Sequence, residues 1–573
     1  MQELAPRHRW RLRPCPPIDH ELAAQAAALG ISRRLLAILA ARGIAQRDSL
    51  SSWLAPPEAG LNDPRLLPDA GAFAGRIGTA VERGERVLVF GDFDADGLCG
   101  LAILTLCLRQ LGLDTEPYVP HRADEGHGLS LAAIERARAE RRSLIVTVDC
   151  GTSSAAEIAS AAAAGIDVLV TDHHRPTMGL PPAAAVVNPH HPASTYPDRR
   201  LAGAGVAFKL AQLLLGAEAL ALADLATIGT VADVAPIVGE NRAICRLGLA
   251  ALRARPRPGI AALLGSGGID GARLDLESIA FGIAPRLNAV GRVGDAAAAA
   301  KLLLAEDAQT AVALAAELEA ANGVRRELLS TALGHARAAL DAAGGREQVT
   351  VVAGPWPIGI VGLVAGRLAD EHGRPAVVFS DLADPWRGSA RSAGNFDLAA
   401  AFSALADLFT RFGGHAAAAG CHLPAENFSA FRQRLLDLAG ALAPVAPELV
   451  LDLIVDALDT DYRLLRELAT LEPTGTGNPP PLVGIAGLAV GRVRPARGGH
   501  TQLVLRKGRE VLDGICFGRD DLPALLAEEA TIDVVARLGS RSFAGYESLQ
   551  LEVRDVAPPG TLAALAQQTA AAA

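Results

Sequence analysis

Short apolar runs alternate with predicted helices along the chain from about residue 76 onward. The runs typical of buried strands are VLVF (87–90), LIVTV (144–148) and DVLV (167–170). Residues 98–111 and 154–164, which lie between or after these runs, are predicted as helices. Strands that alternate with helices predict a parallel, doubly wound α/β domain, which we place at residues 76–300. Residues 1–75 carry little recognisable chemistry and are treated as an N-terminal segment.

A long stretch without proline follows this domain. Its apolar residues recur at roughly helical spacing between many charges, which predicts a connecting helix over residues 301–345. The alternative is two shorter helices that break near Asn322 and Gly323. A second α/β lobe is predicted over residues 346–446, beginning with the strand-like VTVVAG at 349–354.

The pattern of apolar and polar residues changes again after about residue 447. Five short strand-like runs are separated by turns rich in glycine and charge: LVGIAGLAVGRVRP, HTQLVLRKG, EVLDGICFG, ATIDVVARL and SLQLEVRDV. Five such strands predict a small barrel of the OB type over residues 447–557. The alanine-rich residues 558–573 are expected to be disordered.

Composition agrees with a globular, multidomain protein. The chain has 573 residues, of which 50% are hydrophobic and 20% charged. Its seven cysteines are scattered and form no CxxC pair, which favours a reducing compartment. The uncharged run 348–366 is long enough to cross a bilayer, but prolines and glycines interrupt it, so we expect a strand, a loop and a helix start. We therefore expect a cytoplasmic protein without a membrane segment.

The formal net charge of −9 does not by itself indicate nucleic-acid binding. An acidic total is nevertheless compatible with it, because only a local basic groove is needed and metal-binding carboxylates add negative charge.

Acidic residues and histidines fall directly after the predicted strands. Asp92, Asp94 and Asp96 follow the first strand, Asp149 ends the second, and Asp172-His173-His174 follow the third. In an open parallel sheet the carboxyl ends of the strands meet at one edge, where ligands bind. The sequence therefore predicts a cluster of carboxylates and imidazoles at this edge.

Each of these elements has a simpler interpretation. GDFDADG matches the start of a calcium EF-hand loop, but it follows a strand, and Ile103 stands where that loop needs a glutamate. An isolated aspartate such as Asp149 is commonly a helix cap or turn residue. So many carboxylates packed together without cations would repel one another, which favours a metal site. Carboxylates with imidazole favour Mn²⁺ or Mg²⁺, and several shared acids, with Asp149 as a bridge, suit two ions.

Four segments resemble the motifs of the DHH phosphoesterase family: GDFDADG, VDCG, TDHH and GTVAD. Further segments resemble its RecJ-like branch: YVPHRADEGHGLS, LAGAGVAFKL, FGIAPRLNAVGRVGD, GSARS, RFGGHAAAAG and TGTGNPPP. The resemblance covers nearly everything from about residue 80 to 555, and its segments occur in family order. The resemblance implies a DHH domain, a DHHA1-like second lobe joined by a long helix, and a C-terminal OB-type barrel.

The resemblance also implies an activity and a set of residues. It implies a 5′-to-3′ exonuclease on single-stranded DNA that needs Mn²⁺ or Mg²⁺ and releases 5′-mononucleotides. The residues expected to hold the metals are Asp92, Asp94, Asp96, Asp149, His173 and Asp233. His174 is expected to contact the scissile phosphate or assist proton transfer, together with Asp149 at the catalytic centre. Without the resemblance, Asp233 would pass for a helix-terminal acid.

Arginines in the matching motifs are natural partners for phosphate, because the guanidinium fork binds two oxygens. The residues expected to bind substrate are Arg122, Arg286, Asn288, Arg292, Ser389, Arg391 and His415. Arg391 and Arg292 are expected to clamp the terminal 5′-phosphate and so set the direction of cleavage. The alternative for Arg286 is a structural salt bridge, and for the glycines around His415 a tight turn.

Three positions depart from the family pattern. Pro357 stands where a histidine is usual, His127 where a tyrosine is common, and Thr474 where the barrel's glycine-rich turn has an aromatic residue. The first leaves the phosphate clamp one donor short, and the second alters a surface on which bases could stack.

Two other functions compete with the main interpretation. One is a different DHH phosphodiesterase acting on oligonucleotides, cyclic dinucleotides or pyrophosphate, although the added barrel favours a polymer. The other is a non-catalytic single-strand-binding relative, although all four motifs are intact. Single-stranded DNA is the expected partner, contacted in the barrel by Arg492, Arg494, Arg497, Arg506 and Lys507, unless these form an ordinary solvated face. By resemblance, single-strand-binding protein and a RecQ-type helicase are further partners, and the chain is expected to be a monomer.

Overall fold

The computed structural model describes residues 4–122, 124–176, 179–342, 347–394, 396–440, 447–527, 529–543 and 546–572. The chain folds into two compact units. The barrel unit comprises Met1–Pro56, Ala446–Thr474 and Asn478–Ala573, and the two-lobed unit comprises Pro57–Val445 and Gly475–Gly477. The predicted domain boundaries at 345 and 446 lie outside the described residues.

The N-terminal segment is divided between the two units: its residues up to Pro56 belong to the barrel unit, and the rest belong to the two-lobed unit. The elements of the part in the barrel unit are β1 (Arg9–Leu12), α1 (His20–Ala28), α2 (Arg33–Ala41) and α3 (Arg47–Leu54). Leu22, Leu35, Leu39 and Leu50 from the three helices are buried against the apolar interior of the barrel. This part of the segment therefore completes the core of the barrel unit, which the sequence did not indicate.

The first lobe of the two-lobed unit is a parallel sheet covered by helices. Its strands are β2 (Arg86–Gly91), β3 (Asp114–Tyr118), β4 (Leu144–Val148), β5 (Asp167–Thr171) and β6 (Ala185–Val187). They lie in the order β3-β2-β4-β5-β6 and all pair in parallel. The helices are α4 (Ala70–Arg83), α5 (Ala95–Gln110), α6 (Leu131–Ala139), α7 (Ala155–Ala163), α8 (Gly203–Leu215), α9 (Ala223–Ala232), α10 (Gly239–Ala254), α11 (Pro258–Ser266), α12 (Leu276–Ser278), α13 (Ala284–Val293) and α14 (Ala297–Leu303). The doubly wound prediction is confirmed, with β3 and β6 as additional strands.

The register of this sheet aligns the carboxyl ends of three strands. Gly91 pairs with Val148, and Val148 pairs with Thr171. The next residue of each strand is an aspartate, so Asp92, Asp149 and Asp172 emerge side by side at one edge.

The connecting helix is continuous. Helix α15 spans Ala308–Ala342, so the alternative of a break near Asn322 is wrong. Asn322 is buried, and its side-chain oxygen accepts a hydrogen bond from Arg325 at 2.9 Å, which satisfies a polar group in the middle of the helix.

The second lobe is a mixed sheet with helices. Its elements are β7 (Thr350–Gly354), α16 (Ile358–His372), β8 (Ala376–Ser380), β9 (Trp386–Arg391), α17 (Leu398–Ala404), β10 (Arg411–Gly414), β11 (Ala418–Leu423) and α18 (Phe428–Ala439). The strand order is β10-β11-β9-β8-β7, with only β7 and β8 parallel. The uncharged run 348–366 forms β7, a loop and the start of α16, as the sequence predicted.

Among its described residues, the barrel unit continues with seven strands and three α-helices. They are β12 (Glu448–Leu451), β13 (Leu453–Val455), α19 (Tyr462–Ala469), β14 (Val483–Ala496), β15 (His500–Lys507), β16 (Glu510–Cys516), α20 (Leu522–Leu525), β17 (Thr531–Phe543), β18 (Tyr546–Ala557) and α21 (Thr561–Ala572). Strand β14 pairs with both β15 and β17, which closes five strands into a barrel. The tail predicted to be disordered instead forms α21, whose Leu562 is buried beside β1 and β12, so that prediction is wrong.

One helical stretch, Gly203–Ala232, is apolar and long enough to cross a membrane by length and composition alone. Half of its most apolar window is buried in the fold. It comprises α8, a 3₁₀ turn and α9, which pack against α5 in the core of the first lobe.

Candidate metal centre

The loop after β2 is shaped by its own aspartates. Asp94 caps the N-terminus of α5, and its carboxylate accepts hydrogen bonds from the amides of Asp96 (3.0 Å) and Gly97 (3.1 Å). The amide of Ala95 donates to Asn288 Oδ1 at 2.7 Å. A Cβ on Gly97 would lie 2.5 Å from the carbonyl oxygen of Asp92, so only glycine permits the helix to start this close to the strand.

Asp96 is held by the N-terminus of α8. Its two carboxylate oxygens accept hydrogen bonds from the amides of Gly203 (2.7 Å) and Ala204 (2.9 Å). The positive end of a helix dipole favours a carboxylate at this place. Gly203 and Gly229 are needed for the close packing, because a Cβ on either would lie 2.5–2.6 Å from a carboxylate oxygen, of Asp149 and Asp96 respectively.

Asp149 occupies the middle of the cluster. Its φ of 62° is left-handed, a conformation that aspartate tolerates better than most residues. It is 4% exposed, and His173 Nε2 lies 3.1 Å from its Oδ1. That contact has ion-pair distance without hydrogen-bond geometry, and Oδ1 has no hydrogen-bond partner in the part of the chain that the structure describes.

Asp172 orients the two histidines that follow it. Its Oδ1 accepts hydrogen bonds from the amides of His173 (2.8 Å) and His174 (3.1 Å) and contacts His174 Nδ1 at 2.8 Å. Its Oδ2 accepts from the amide of Thr152 at 3.0 Å. Burial by itself raises the pKa of Asp172, but the hydrogen bond with His174 and the charge of that ring lower it to about 2. The same hydrogen bond raises the pKa of His174 to about 9, against the effect of burial.

Asp233 reaches the cluster from the end of a helix. It is the C-cap of α9, and His173 Nδ1 lies 4.0 Å from its Oδ2. The amide of Val234 donates to the carbonyl of Val231 (3.1 Å), and that of Ala235 to Thr230 (3.1 Å). These two bonds form a Schellman motif, which fixes the direction in which the Asp233 side chain leaves the helix.

The candidate ligands fall into three overlapping groups, in each of which the donor atoms lie within 4.8 Å of one another. The groups are Asp92, Asp94 and Asp149; Asp149, His173 and His174; and Asp96, His173 and Asp233. Asp149 and His173 are shared, as expected of residues that bridge neighbouring ions. Buried Oδ1 atoms of Asp92 and Asp149 have no hydrogen-bond partner among the described residues, and oxygen with imidazole donors suits Mn²⁺ or Mg²⁺. The residues therefore fit divalent cations.

The electrostatics of the cluster also favour the binding of cations. Burial raises the pKa of Asp94 and Asp96, and it raises that of Asp149 well above its usual value, with repulsion from neighbouring carboxylates adding to the effect. Burial and the charge of Asp96 raise the pKa of Asp233 to about 6. Each of these carboxylates would be stabilised as an anion by a nearby positive ion.

Two arginines, Arg122 and Arg292, interact electrostatically with acids of the cluster, and a third, Arg391, interacts with both of them. The Arg122 guanidinium lies 4.8 Å above the Phe93 ring, Arg292 Nη1 donates to the carbonyl of Gly359 (3.0 Å), and Arg391 Nη1 donates to the carbonyl of Ala390 (2.8 Å). Burial lowers the pKa of all three, that of Arg292 to about 10, and repulsion from Arg122 lowers those of Arg292 and Arg391 further. Among the described residues none of the three has a carboxylate partner. We call them the arginine triad.

The other predicted substrate residues have different surroundings. Ser389 Oγ accepts a hydrogen bond from Arg391 (3.2 Å), so it orients a member of the triad. Arg286 is paired with Glu319 of α15 and donates to the carbonyl of Gly282 (2.6 Å), which matches the structural alternative. Asn288 supports the aspartate loop through its hydrogen bond with the Ala95 amide. His415 is exposed in the turn between β10 and β11, where its amide donates to Ala418.

The structure also shows the surroundings of two positions that depart from the family pattern, Pro357 and His127. Pro357 is the N-cap residue of α16. His127 Nδ1 lies 3.4 Å from Asp92 Oδ2, and its ring centroid lies 4.6 Å from that of Phe93. This position therefore presents an exposed aromatic ring beside a candidate metal ligand.

A cleft opens at the Asp233 end of the centre. It has a volume of about 690 Å³ and is lined by His173, Arg175, Pro176, His190, Arg199, Arg200, Leu201, Asp233, Val234, Ala235 and Pro236. We call it the Asp233 cleft. Burial lowers the pKa of His190 there, and the positive charges of Arg175, His173 and Arg199 lower it further.

The barrel unit carries a basic groove of its own. Arg492, Arg494 and Arg541 are among the residues that line a groove of about 130 Å³ on β14–β18. Of the other predicted barrel contacts, Lys507 forms an ion pair with Asp456 at 2.9 Å.

Sequence reasoning missed Asp172 as the residue that orients His174, and it missed Gly203, Gly229 and Val234. The only signal for Asp172 was its place before the two histidines. The glycines gave no signal by themselves, because their role depends on carboxylates that approach from other segments.

A parallel sheet that ends in a carboxylate–imidazole cluster, followed by a second α/β lobe, defines a protein of the DHH class. Family models match over residues 86–230 (DHH family, N-terminal domain), 344–441 (DHHA1 domain) and 451–555 (RecJ OB domain). The chain belongs to the RecJ family. It is 34% identical to the single-stranded-DNA-specific exonuclease RecJ of Bacillus subtilis over 97% of its own length and 71% of that protein.

Solved structures of RecJ from Thermus thermophilus are similar to the whole chain. The complex with Mn²⁺ has a TM-score of 0.82 at 32% identity and covers 96% of this chain and 80% of that one. The complex with Mg²⁺ has a TM-score of 0.76 at 31% identity, with coverage of 96% and 79%.

Proposed function

We propose that the protein is a divalent-metal-dependent exonuclease that degrades single-stranded DNA from its 5′ end and releases 5′-mononucleotides. The observation that carries this proposal is the juxtaposition, in one unit, of three overlapping ligand groups with three arginines that have no carboxylate partner among the described residues. Phosphodiester hydrolysis needs both features, because negative charge must be neutralised at the reacting phosphate and the strand must be positioned.

Asp92, Asp94, Asp96, Asp149, His173 and Asp233 are the proposed ligands for two ions of Mn²⁺ or Mg²⁺. Related RecJ structures contain Mn²⁺ and Mg²⁺, which supports this choice. Such ions, when bound, lower the pKa of water and neutralise charge on the phosphate. In the overall reaction the oxygen of water adds to phosphorus, the P–O3′ bond breaks, and the 3′-oxygen leaves with a proton.

His174 is the proposed source of positive charge and of a proton on the protein side. Its Nδ1 is engaged by Asp172, so its Nε2 is directed away from that contact, and the side chain is more than half exposed. In the metal-free protein, the pKa of about 9 keeps the ring protonated at neutral pH. It can therefore donate a hydrogen bond to a phosphate oxygen or a proton to the departing 3′-oxygen.

The arginine triad is the proposed clamp for the terminal 5′-phosphate. Arg122 and Arg292 both interact electrostatically with Asp94, and Arg391 interacts with Arg122, which supports a position of the triad at the Asp92–Asp94 end of the centre. A phosphate held there at a fixed distance from the ligands would select the first phosphodiester bond. Because a terminal phosphate carries more charge than an internal one, the clamp would favour ends over internal sites.

The proposal also covers the role of the barrel, the cellular process and the partner proteins. The basic groove lined by Arg492, Arg494 and Arg541 is a candidate contact for longer strands, in keeping with OB folds that track single strands. We further propose that the protein acts in the cytoplasm in DNA repair and recombination, as a monomer, with single-strand-binding protein and a RecQ-type helicase as partners.

A comparison of substrates tests the reaction. Purified protein in Mn²⁺ should degrade a long 5′-phosphorylated single strand far faster than a cyclic dinucleotide, and Asp149→Ala should abolish turnover while the protein stays folded. Faster hydrolysis of the cyclic dinucleotide would favour a different DHH phosphodiesterase. Tight strand binding without hydrolysis by the unmodified protein would favour a non-catalytic binding role, and near-normal turnover by Asp149→Ala would contradict the proposed metal centre.

A further inference from the structure

The Asp233 cleft has the chemistry of a site for a phosphate-bearing strand. Arg175 and Arg199 line it without a carboxylate partner among the residues that the structure describes. Arg200 lines it too, but its charge is matched by Asp198, with contacts of 2.7 and 2.9 Å. The cleft volume of about 690 Å³ falls within the range of about 300–1,000 Å³ typical of ligand clefts.

The cleft also has an apolar wall with an unusual residue in it. Val234 is 64% exposed and has a φ of 60°. It occupies the position after the C-cap of a Schellman motif, where glycine is the usual residue because it adopts this conformation without strain. A β-branched residue is a conformational outlier there. Strain of this kind is retained where the surrounding structure enforces it, often at functional sites.

The candidate ligands connect the arginine triad to this cleft in a definite order. The triad lies at the end of the centre formed by Asp92 and Asp94. Asp149 joins that end to His173, and His173 and Asp233 themselves form part of the cleft wall. A DNA strand can therefore bind with its first phosphate in the triad and its second phosphate at the metal ligands. Its third phosphate is then directed toward the cleft.

We propose that the Asp233 cleft is the subsite for the nucleotide on the 3′ side of the scissile bond. Arg175 and Arg199 hold the next internal phosphate, and Val234 packs against the sugar or base of that nucleotide. This inference rests on the proposed exonuclease function and deepens it. It assigns Arg175, Arg199 and Val234 as binding residues that position the strand as it leaves the centre.

Short substrates separate this subsite from the chemistry. A 5′-phosphorylated dinucleotide has a terminal phosphate and one scissile phosphate, whereas the trinucleotide adds the phosphate that the cleft would hold. Steady-state kinetics in Mn²⁺ on both substrates should show that Arg175→Ala raises KM for the trinucleotide by tenfold or more. The loss on the dinucleotide should be several times smaller, and kcat on the trinucleotide should change little. Arg255→Ala, which removes an exposed arginine that does not line the cleft, is the matched control and should change neither.

Val234→Gly gives a second, independent readout. Because glycine removes the left-handed strain, this variant should melt at a higher temperature than the unmodified protein, yet bind the trinucleotide more weakly. Equal losses on both substrates for Arg175→Ala, or no loss on either, would overturn the subsite. A lower melting temperature for Val234→Gly with unchanged trinucleotide KM would assign Val234 a structural role. If the unmodified protein hydrolyses neither of these substrates nor a long 5′-phosphorylated strand, the proposed exonuclease function fails instead.

Discussion

Neutralising Asp233 should stabilise the metal-free protein, although it removes a proposed metal ligand. Burial and the charge of Asp96 raise the pKa of Asp233 from 3.8 to about 6. One pKa unit corresponds to about 1.4 kcal/mol, so a shift of about two units corresponds to ~3 kcal/mol before any allowance for solvent. The Asp233 side chain is 34% exposed, and screening reduces this to ~1–2 kcal/mol.

The sign of the effect depends on pH in a definite way. A carboxylate whose pKa is raised on folding binds its proton more tightly in the folded state, so the free energy of unfolding falls as pH rises from about 4 to about 6. In Asp233→Asn the free energy of unfolding does not fall in this way, because asparagine does not titrate. In EDTA, the variant and the unmodified protein should therefore be equally stable below about pH 4, and the variant should melt a few degrees higher above pH 6.

Asp172→Asn is the matched control, with the opposite sign. The pKa of Asp172 is lowered to about 2 by His174, so its charge stabilises the fold at neutral pH. Its neutralisation should cost ~2 kcal/mol above pH 4 and little at pH 2. Thermal melts of the three proteins in EDTA across pH 2–8 provide the assay. A lower melting temperature for Asp233→Asn at pH 7, or equal shifts for both variants, would refute the account of the crowded carboxylates.

Further predictions concern the metal site, the clamp and the barrel. Gly203→Ala should weaken Mn²⁺ binding at least tenfold by calorimetry, because its Cβ would lie 2.6 Å from a ligand oxygen, whereas Gly205→Ala, with no contact under 3.4 Å, should bind normally. Arg391→Ala should slow cleavage of 5′-phosphorylated strands on the order of a hundredfold and 5′-hydroxyl strands much less, and equal losses would make it a general backbone contact. Replacing both Arg492 and Arg494 by alanine should weaken binding of long strands. It should also reduce the slope of log binding constant against log salt concentration by about 1–2. Unchanged binding would identify the two arginines as part of an ordinary solvated face.

The sequence predicted those parts of the site that depend on strand ends. Asp92 and Asp149 follow apolar runs, and parallel strands bring such residues to one edge whatever the details of packing. Asp233 could be assigned only through the family resemblance, since a helix-terminal aspartate is commonplace. The overall fold followed for the same reason, because strand and helix patterns are local properties of the chain.

Features that depend on distant segments were beyond the sequence. Arg286 pairs with Glu319, 33 residues away, which no local pattern indicates. Strand β1 pairs with β12, and α21 packs beside them, so the N-terminal segment and the supposed tail are ordered by tertiary contacts alone. The strain at Val234 is likewise invisible in sequence, because valine gives no sign of a left-handed conformation.

The most direct test of the central claim is the order in which nucleotides leave a long single strand in Mn²⁺. A strand phosphorylated and labelled at its 5′ end should release labelled mononucleotide from the first time point. The same strand labelled at its 3′ end should keep the label in progressively shorter fragments, and EDTA should stop both reactions. Early release of the 3′ label, or labelled fragments longer than a mononucleotide from the 5′-labelled strand, would contradict a metal-dependent exonuclease that works from the 5′ end.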